Sequence, residues 1–228
     1  MREPAEYADE IERDAMLPAG SGERFSGYGV MGLPFRSGHI LALRRFPASS
    51  IGPGYRSVWH RAPSGRWTFY QDQPAELVCT RYFGAAVDEV REGPIEIAWT
   101  GPRSFEGSAG GGELTWTLEL ASTPVTSALN RVASLLPHRA WHSPPFLAAI
   151  SRASGLALRA GRVRLIGLAP NGQRFVANPL HIWVARENSA RLQGADLGAM
   201  GPAPEQAQLS DFAIPQRGVF VVGRAFFD

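Results

Sequence analysis

The sequence contains no lysine, because all 23 of its basic residues are arginine. Without lysine, no side chain can form a lysine Schiff base, anchor pyridoxal phosphate or act as a Walker A lysine. These classes of cofactor and phosphate chemistry are therefore excluded. We expect no cofactor.

Cysteine and long apolar runs are also scarce. Cys79 is the one cysteine, which excludes an intramolecular disulfide framework. Met1–Gly20 is acidic and polar, with no apolar core of a signal peptide, and no apolar run approaches the length of a membrane span. These features predict a cytosolic protein without a membrane span. Cys79, within the apolar run Leu77–Phe83, is predicted to be a buried small hydrophobe rather than a nucleophile.

Charge of one sign is not in excess, since 23 basic residues face 21 acidic ones and the net charge is +2. The arginines look scattered along the chain. Nucleic-acid binding needs a concentrated basic surface, so we expect no nucleic-acid partner.

Motifs of specific chemistry are lacking too. The sequence has no Gly-x-Ser-x-Gly nucleophile elbow. Gly107–Gly112 is glycine-rich but lies between predicted strands, which favours a turn. His138 and His142 have the spacing of two metal ligands on a helix, but Pro137 and Pro144 leave barely one helical turn around them. We therefore predict no metal site.

The aromatic stretch Tyr55–Tyr70 carries most of the information in the chain. Its alternating pattern predicts two strands. Pro63-Ser64-Gly65 suits a three-residue loop in which proline fixes φ and glycine takes positive φ. This loop places Trp59 opposite Phe69 and Arg61 opposite Trp67. A four-residue loop would shift the register by one and mix the two faces.

The predicted hairpin has two different faces. One carries four large aromatic side chains, too many for a solvated surface, and forms either plain core or the wall of an apolar ligand pocket. Its residues are Tyr55, Trp59, Trp67 and Phe69. The other face brings together His60, Tyr70 and Asp72, which can all move protons. This second set is either a candidate acid–base cluster or an ordinary polar outer face.

Arg81 is the candidate polar anchor. The run Leu77–Phe83 is predicted as a strand that places Arg81 among apolar neighbours. A buried guanidinium needs a partner, because burying a lone charge is costly. That partner is either a carboxylate of the chain or an anionic group of a ligand. Asp88, Glu89 and Glu96 are the candidate carboxylates.

The remaining pattern is mainly β. Ala86–Arg91 and Ile95–Thr100 are predicted to pair, and Glu113–Ala121 is the clearest half-buried strand. A helical pair is predicted near residues 123–155, with Val132 facing inward on the first helix and Gly155 ending the second. The fold class is thus a mainly β, antiparallel barrel or sandwich. Residues 1–23 are predicted as a flexible arm and residues 24–228 as a single barrel-like domain.

Several segments together resemble lipocalin-like proteins. They are the aromatic hairpin, the strands that carry Trp99 and Trp116, the run Leu168–Phe175 and the run His181–Ala185. The nearest group is the hydroxyneurosporene synthase (carotenoid hydratase) and AttH-like set. The resemblance implies a β-barrel around an apolar ligand. In some relatives it also implies cofactor-independent chemistry on isoprenoids or polyketides, such as water addition or cyclisation.

Three hypotheses follow. The first is a barrel that binds an apolar isoprenoid, lipid or polyketide-like molecule and catalyses a cofactor-free hydration, isomerisation or cyclisation. The second is a carrier or sensor without turnover, and the third is a partner-binding β domain with a filled core. Trp59, Trp67, Phe69, Trp99 and Trp116 are the predicted wall, with Tyr55 beside them and Arg81 as the anchor. The sequence does not indicate an oligomeric state.

Overall fold

The computed structural model describes residues 2–137, 140–141 and 143–228. His138 and His142, the pair tested above as metal ligands, lie outside the described residues. The core is a curled mixed sheet in the order β5-β4-β3-β2-β1-β14-β10-β8-β7-β6. The strands of this path are β1 (Glu23–Pro34), β2 (Ile40–Ser49), β3 (Tyr55–Arg61), β4 (Trp67–Gln71), β5 (Glu89–Glu92), β6 (Ile95–Trp99), β7 (Ser104–Ala109), β8 (Leu114–Ala121), β10 (Arg174–Leu192) and β14 (Val219–Phe227).

Short strands and helices complete the fold. β9 (Ile166–Leu168) and β11 (Ala195–Asp196) pair with β10, while β12 (Gln208–Leu209) pairs with β13 (Phe212–Ala213). The helices are α1 (Pro4–Arg13), α2 (Thr80–Phe83), α3 (Pro124–Leu135) and α4 (Pro144–Leu158). The predicted mainly β, barrel-like fold with a helical pair is confirmed. No helix in the described part of the chain is long and apolar enough to cross a membrane.

The hairpin β3–β4 has the predicted register, with Trp59 opposite Phe69 and Arg61 opposite Trp67. The Gly65 amide donates to the Ala62 carbonyl at 2.9 Å, and Gly65 has a φ of 94°. The turn therefore closes through a glycine in the left-handed region, as the three-residue loop requires. The short-range prediction held because the turn residues alone determine this register.

Two predictions about the strands near the hairpin are wrong. Leu77–Phe83 is not a strand, because it contains the end of a 3₁₀ turn and the helix α2. Cys79, Tyr82 and Phe83 fall on one side at helical spacing and are buried, so a helix hides more apolar surface here than a strand would. The predicted pairing of β5 with β6 also fails. β5 pairs in parallel with β4 at one edge of the sheet, and β6 pairs with β7 at the other edge.

Each face of the curled sheet is covered by its own apolar cluster. One cluster draws residues from both ends of the strand order, and β3 approaches β6 across it, so this is the concave face. Trp116, Phe105, Trp183 and Phe220 fill it. The other cluster lies on the convex face, where Tyr55, Trp59, Trp67 and Phe69 pack under α2 and the β13 segment. The two faces of the hairpin therefore belong to two separate cores.

The helices divide between these faces. α1, in the segment predicted as an arm, lies on the concave side, with Ala8 1% exposed and Tyr7 stacked on His181 at 4.1 Å. α3 and α4 lie on the convex side, where α3 packs against β10. Thr123 caps α3 by accepting from the Thr126 amide, as the predicted helix start requires.

Two predicted details of the helical pair are wrong. Val132 is 47% exposed rather than inward. α4 continues past Gly155 to Leu158. Gly155 does not end the helix but lets the chain at Gly161 approach it, because a Cβ there would lie 2.5 Å from the Gly161 carbonyl oxygen. The glycine therefore serves packing rather than termination.

Candidate functional site

A cavity of about 120 Å³ lies on the convex face of the sheet. Strands β1, β2, β3, β10 and β14 form its floor, and α2 and the β13 segment contribute to its cover. The aromatic residues in its wall are Tyr28, Phe46, Trp59, Phe83, Phe175, Phe212 and Phe227. The polar groups in the wall are Arg44, Cys79, Asn178 and Arg224. The lining thus combines an apolar body with polar side chains, none of them a carboxylate.

Arg44 is the unusual member of the wall, because it is 4% exposed and lines the cavity. Its Nη1 donates to the carbonyls of Val30 at 2.5 Å and Leu43 at 3.0 Å, and Nη2 donates to Met31 at 3.3 Å. Its guanidinium carbon lies 4.5 Å from the Trp59 ring centroid. Within the described residues, no carboxylate forms an ion pair with it.

Burial lowers the pKa of Arg44 to about 10. The guanidinium therefore stays charged at neutral pH. Its positive charge is held by three backbone carbonyls and by the faces of Trp59 and Phe212 rather than by an acid. A desolvated cation of this kind attracts an anion strongly, because the surrounding protein screens it far less than water does. The cavity is thus suited to an anionic group.

The sequence pattern explains why Arg44, and not its neighbour, is buried. In β2, Ile40, Ala42 and Arg44 alternate onto the convex face, so Arg44 continues an apolar row. Arg45 points to the opposite face, where it pairs with Glu12. Sequence reasoning missed Arg44 because two adjacent arginines look equivalent without the sheet. The available signal was that both alternate rows of β2 are apolar, so that neither face is solvated.

Asn178 adds a second polar group to the cavity. It is 2% exposed, and its side-chain oxygen Oδ1 has no hydrogen-bond partner within the described structure. Buried polar atoms without a partner are uncommon in native proteins, and a bound ligand is one way to satisfy them. Arg224, which faces Asn178 across the β10–β14 pair, lines the same cavity and is partly exposed. Two guanidiniums and an amide therefore share this wall.

Cys79 and Tyr55 form a contact beside Arg44. The Tyr55 hydroxyl lies 3.3 Å from Cys79 Sγ. Burial raises the pKa of both groups. At the thiol, the hydrogen bond with Tyr55, the nearby Arg44 charge and a backbone hydrogen bond act in the opposite direction without outweighing burial. Both groups are therefore protonated at neutral pH. They can donate a hydrogen bond or a proton, but neither is a ready base.

The predicted ligand-binding residues separate into two groups. Trp59 lines the cavity; Phe69 stacks behind it at 4.5 Å with an interplanar angle of 7°, and Trp67 meets Phe69 edge-on. Tyr55 reaches the site through Cys79. Trp99 and Trp116 belong to the concave cluster instead.

Arg81 does not serve as the predicted buried anchor. Its side chain is 41% exposed and pairs with Glu23 at 2.7 Å, not with Asp88, Glu89 or Glu96. The prediction failed because it rested on a strand at Leu77–Phe83, whereas α2 turns Arg81 away from the apolar side. Arg44 is the buried arginine in place of Arg81.

The predicted acid–base cluster is not assembled. His60 is buried, and its Nε2 lies 2.9 Å from His39 Nδ1. Asp72 accepts from the Arg56 amide at 2.7 Å and from its guanidinium at 3.2 Å. Tyr70 lies under Arg91. Each of the three has its own partner, and all lie on the face away from the cavity.

A second chamber of about 80 Å³ adjoins the first. The two share Met31, Leu165, Pro179 and Val221 in their walls. The inner faces of α3 and α4 line this chamber through Leu129, Ile150 and Leu158, among other residues. The second chamber therefore lies next to the first and reaches the helical pair.

Comparisons with known proteins add little to this geometry. No protein-family model matches the chain, and no curated protein matches it. Among solved structures, the chain is similar to an acetoacetate decarboxylase from Legionella pneumophila, with 10% sequence identity and a TM-score of 0.40. That similarity covers 92% of this chain and 86% of the other. At this TM-score the similarity assigns no activity to the chain.

Proposed function

We propose that this protein binds a small molecule with an anionic head and a short apolar body in the convex-face cavity. The observation that carries the proposal is Arg44, a buried guanidinium that lines the cavity without an acidic partner among the described residues. A carboxylate ligand would give Arg44 a counter-ion through charge-assisted hydrogen bonds. The Asn178 side chain would contact a second polar atom of the same ligand.

The size of the cavity limits the body of the ligand. A cavity of roughly 150 Å³ holds benzene, so about 120 Å³ suits a single ring or a short branched chain. Drug-sized pockets occupy about 300–1,000 Å³. Of the isoprenoid, lipid and polyketide classes predicted from the sequence, only the shortest members fit a cavity of this size, and the test uses molecules of that length. A longer chain would have to continue past Met31 into the second chamber.

The test is calorimetric titration with matched pairs of ligands, benzoate against benzyl alcohol and 3-methylbutanoate against 3-methylbutanol. We expect each acid to bind at least about tenfold more tightly than its alcohol, since hydrogen bonds to charged groups contribute roughly 1.5–3 kcal/mol. Arg44→Met should remove this preference. Arg81→Met, which alters an exposed arginine, is the control. Equal binding of acids and alcohols, or no binding at millimolar concentration, would leave the filled-core hypothesis as the better one.

Catalysis is the second candidate function. The observation that favours it is the Tyr55–Cys79 contact beside Arg44, which places two protonated donors next to a cation. Such donors suit the cofactor-free hydration, isomerisation or cyclisation that the resemblance to hydroxyneurosporene synthase implies. The alternative is a carrier or sensor without turnover.

Turnover is tested on unsaturated acids that bind, followed by liquid chromatography and mass spectrometry. Tyr55→Phe should abolish product formation while the dissociation constant stays within about threefold, if a proton from Tyr55 is needed. Product formation at an unchanged rate in this variant removes Tyr55 from the reaction. The absence of product with every bound acid favours the carrier. The cytosolic location and the absence of a nucleic-acid partner stay predictions.

A further inference from the structure

Charge is segregated along the chain. Residues 120–186 contain eight arginines and no aspartate or glutamate. The rest of the sequence holds the other 15 arginines and all 21 acidic residues, a net charge of −6. The arginines are spread along the whole chain, and it is the acidic residues that are missing from this segment. The segment comprises α3, α4, β9 and the first two thirds of β10.

Only part of this basic segment is neutralised by the fold. Arg164 pairs with Asp211, Arg174 with Asp228, and Arg186 with Glu119 and Glu187. The arginines on the helical pair differ. Arg131, Arg152 and Arg159 are exposed and form no ion pair with any described residue.

The two helices also expose large apolar side chains. Leu135 is 77% exposed, Leu156 is 82% exposed and Val132 is 47% exposed. Arg131 and Leu135 are four residues apart on α3, and Arg152 and Leu156 are four apart on α4, so each helix carries one arginine–leucine pair on one side. The opposite side of α4 is buried, at Leu147, Ser151 and Leu158. Each helix thus has a solvent face that is both basic and apolar.

We propose that the solvent faces of α3 and α4 dock on an anionic lipid surface. The arginines would lie at the level of the phosphates, and Leu135 and Leu156 would enter the boundary between headgroups and acyl chains. Nucleic acid would use the positive charge but not the leucines, because its phosphates offer no apolar partner. An anionic bilayer is the surface that uses both. The inference is independent of the Arg44 cavity, and its test requires no small ligand.

The test is co-sedimentation of the full chain with vesicles of phosphatidylcholine alone and of phosphatidylcholine with 30% phosphatidylglycerol. We expect binding to the anionic vesicles only, and a loss of binding as sodium chloride rises from about 50 to 500 mM. Arg131→Gln with Arg152→Gln should weaken binding at least about tenfold, given the contribution of each basic residue near an anionic surface. Leu135→Ser with Leu156→Ser should weaken it to a similar degree.

Two controls separate this docking from other contacts. Leu168→Ser removes an exposed leucine on β9 and Arg174→Gln removes a paired arginine, and both variants should bind vesicles as the unaltered protein does. Circular dichroism verifies that each variant is folded. Equal binding to neutral and anionic vesicles, or none at 50 mM salt, overturns the proposal. The proposal is also overturned if vesicle binding is weak and the protein binds duplex DNA equally well with and without the leucine substitutions. The surface would then bind nucleic acid.

Discussion

Helix α1 and the helical pair α3–α4 both cover a face of the same sheet, but they carry opposite charge. α1 carries four acidic residues and is preceded by Glu3, whereas α3 and α4 carry none. Glu12 of α1 pairs with Arg45 of β2, and Glu3 pairs with Arg103, just before β7. The other acids of α1 pair with Arg2 and Arg13 of the same segment. The arginines of the helical pair have no such partners in the described part of the chain. Ion pairs therefore attach α1 to the rest of the fold, whereas the arginines of α3 and α4 are left free for an external partner.

The spaces beneath the two coverings differ as well. Under α1, the concave face is packed by Trp99, Trp183 and Phe220, whose rings lie about 6 Å apart. Beneath α2, the β13 segment and the helical pair, the convex face holds the two neighbouring chambers. The candidate site is thus outside the curl of the sheet, not in the barrel interior that the sequence analysis expected. The following predictions test this contrast.

The largest effect is expected at the floor of the cavity. Trp59→Ala should lower the free energy of unfolding by about 3–5 kcal/mol, because a fully buried aromatic is removed beside an existing cavity. Trp59 is 1% exposed and contacts both Phe69 and Arg44. Urea unfolding measures the change. Trp99→Ala, at a partly exposed ring of the concave face, should cost less, and the reverse order would contradict the assignment of the two cores.

A pH effect is expected on the concave side, at His60. Burial, followed by the neighbouring His39, lowers the pKa of His60 to about 4. Since the unfolded chain then binds more protons, stability is full above about pH 6.5 and is lost as pH falls towards 4, by about 2–3 kcal/mol. Urea midpoints between pH 4 and 7 measure it.

His60→Gln should flatten part of that slope. His39 and His181 retain a smaller share in the same direction, because burial lowers their pKa values too. Glu113 and Arg91 are the charged groups near His60, and their effects oppose each other. An unchanged slope in His60→Gln would show that the buried imidazole does not control acid stability.

The ion pair between Glu12 on α1 and Arg45 on β2 should contribute less to stability than His60. Glu12 accepts from Arg45 at 2.7 and 2.6 Å and from Tyr28 at 2.9 Å. Burial is the largest single influence and raises the pKa of Glu12. The hydrogen bonds and charge of Arg45, the hydrogen bond from Tyr28 and the Arg56 charge together outweigh it, so the net pKa is lowered. Glu12→Gln should therefore cost about 1–2 kcal/mol at pH 7, since a carboxylate about one third exposed is partly screened.

The sign of the pH dependence distinguishes Glu12 from His60. A lowered carboxyl pKa contributes stability above its ordinary value near 4.3, and this contribution is lost only as pH falls below it. Hydrogen exchange of the α1 amides should therefore accelerate below about pH 4 and, in Glu12→Gln, already at pH 7. Protection that is equal in both proteins at pH 7 would mean that packing of Tyr7 and Ala8, not the ion pair, holds α1.

Local patterns predicted well what local interactions determine. The β3–β4 register, the strand β8 with Trp116 inward and the start of α3 all follow from alternation, turn residues and caps. The predictions failed where long-range packing decides. α2 forms because the convex core accepts Tyr82 and Phe83, three and four residues after the buried Cys79.

The candidate site could be predicted only in part for the same reason. The aromatic row around Trp59 was recognisable from the hairpin. Arg44 was not, because its burial depends on α2 and the segment around Phe212, which lie 35 or more residues further along the chain. Arg81 was chosen instead because an arginine within an apolar run looks buried. The residue pattern of one strand does not show which distant segments of the chain pack against it.

The smallest change in stability is expected for the exposed arginines of α3 and α4. Arg131→Gln with Arg152→Gln should change the free energy of unfolding by less than about 0.5 kcal/mol, because exposed residues without fixed partners contribute little to folding. Arg45→Gln, which removes the partner of Glu12, is the matched variant for helix α1. It should destabilise the protein as Glu12→Gln does. Urea unfolding of both at pH 7 makes the comparison. If the helical-pair variant were as destabilised as Arg45→Gln, its arginines would be structural, and their charge would no longer point to an external surface.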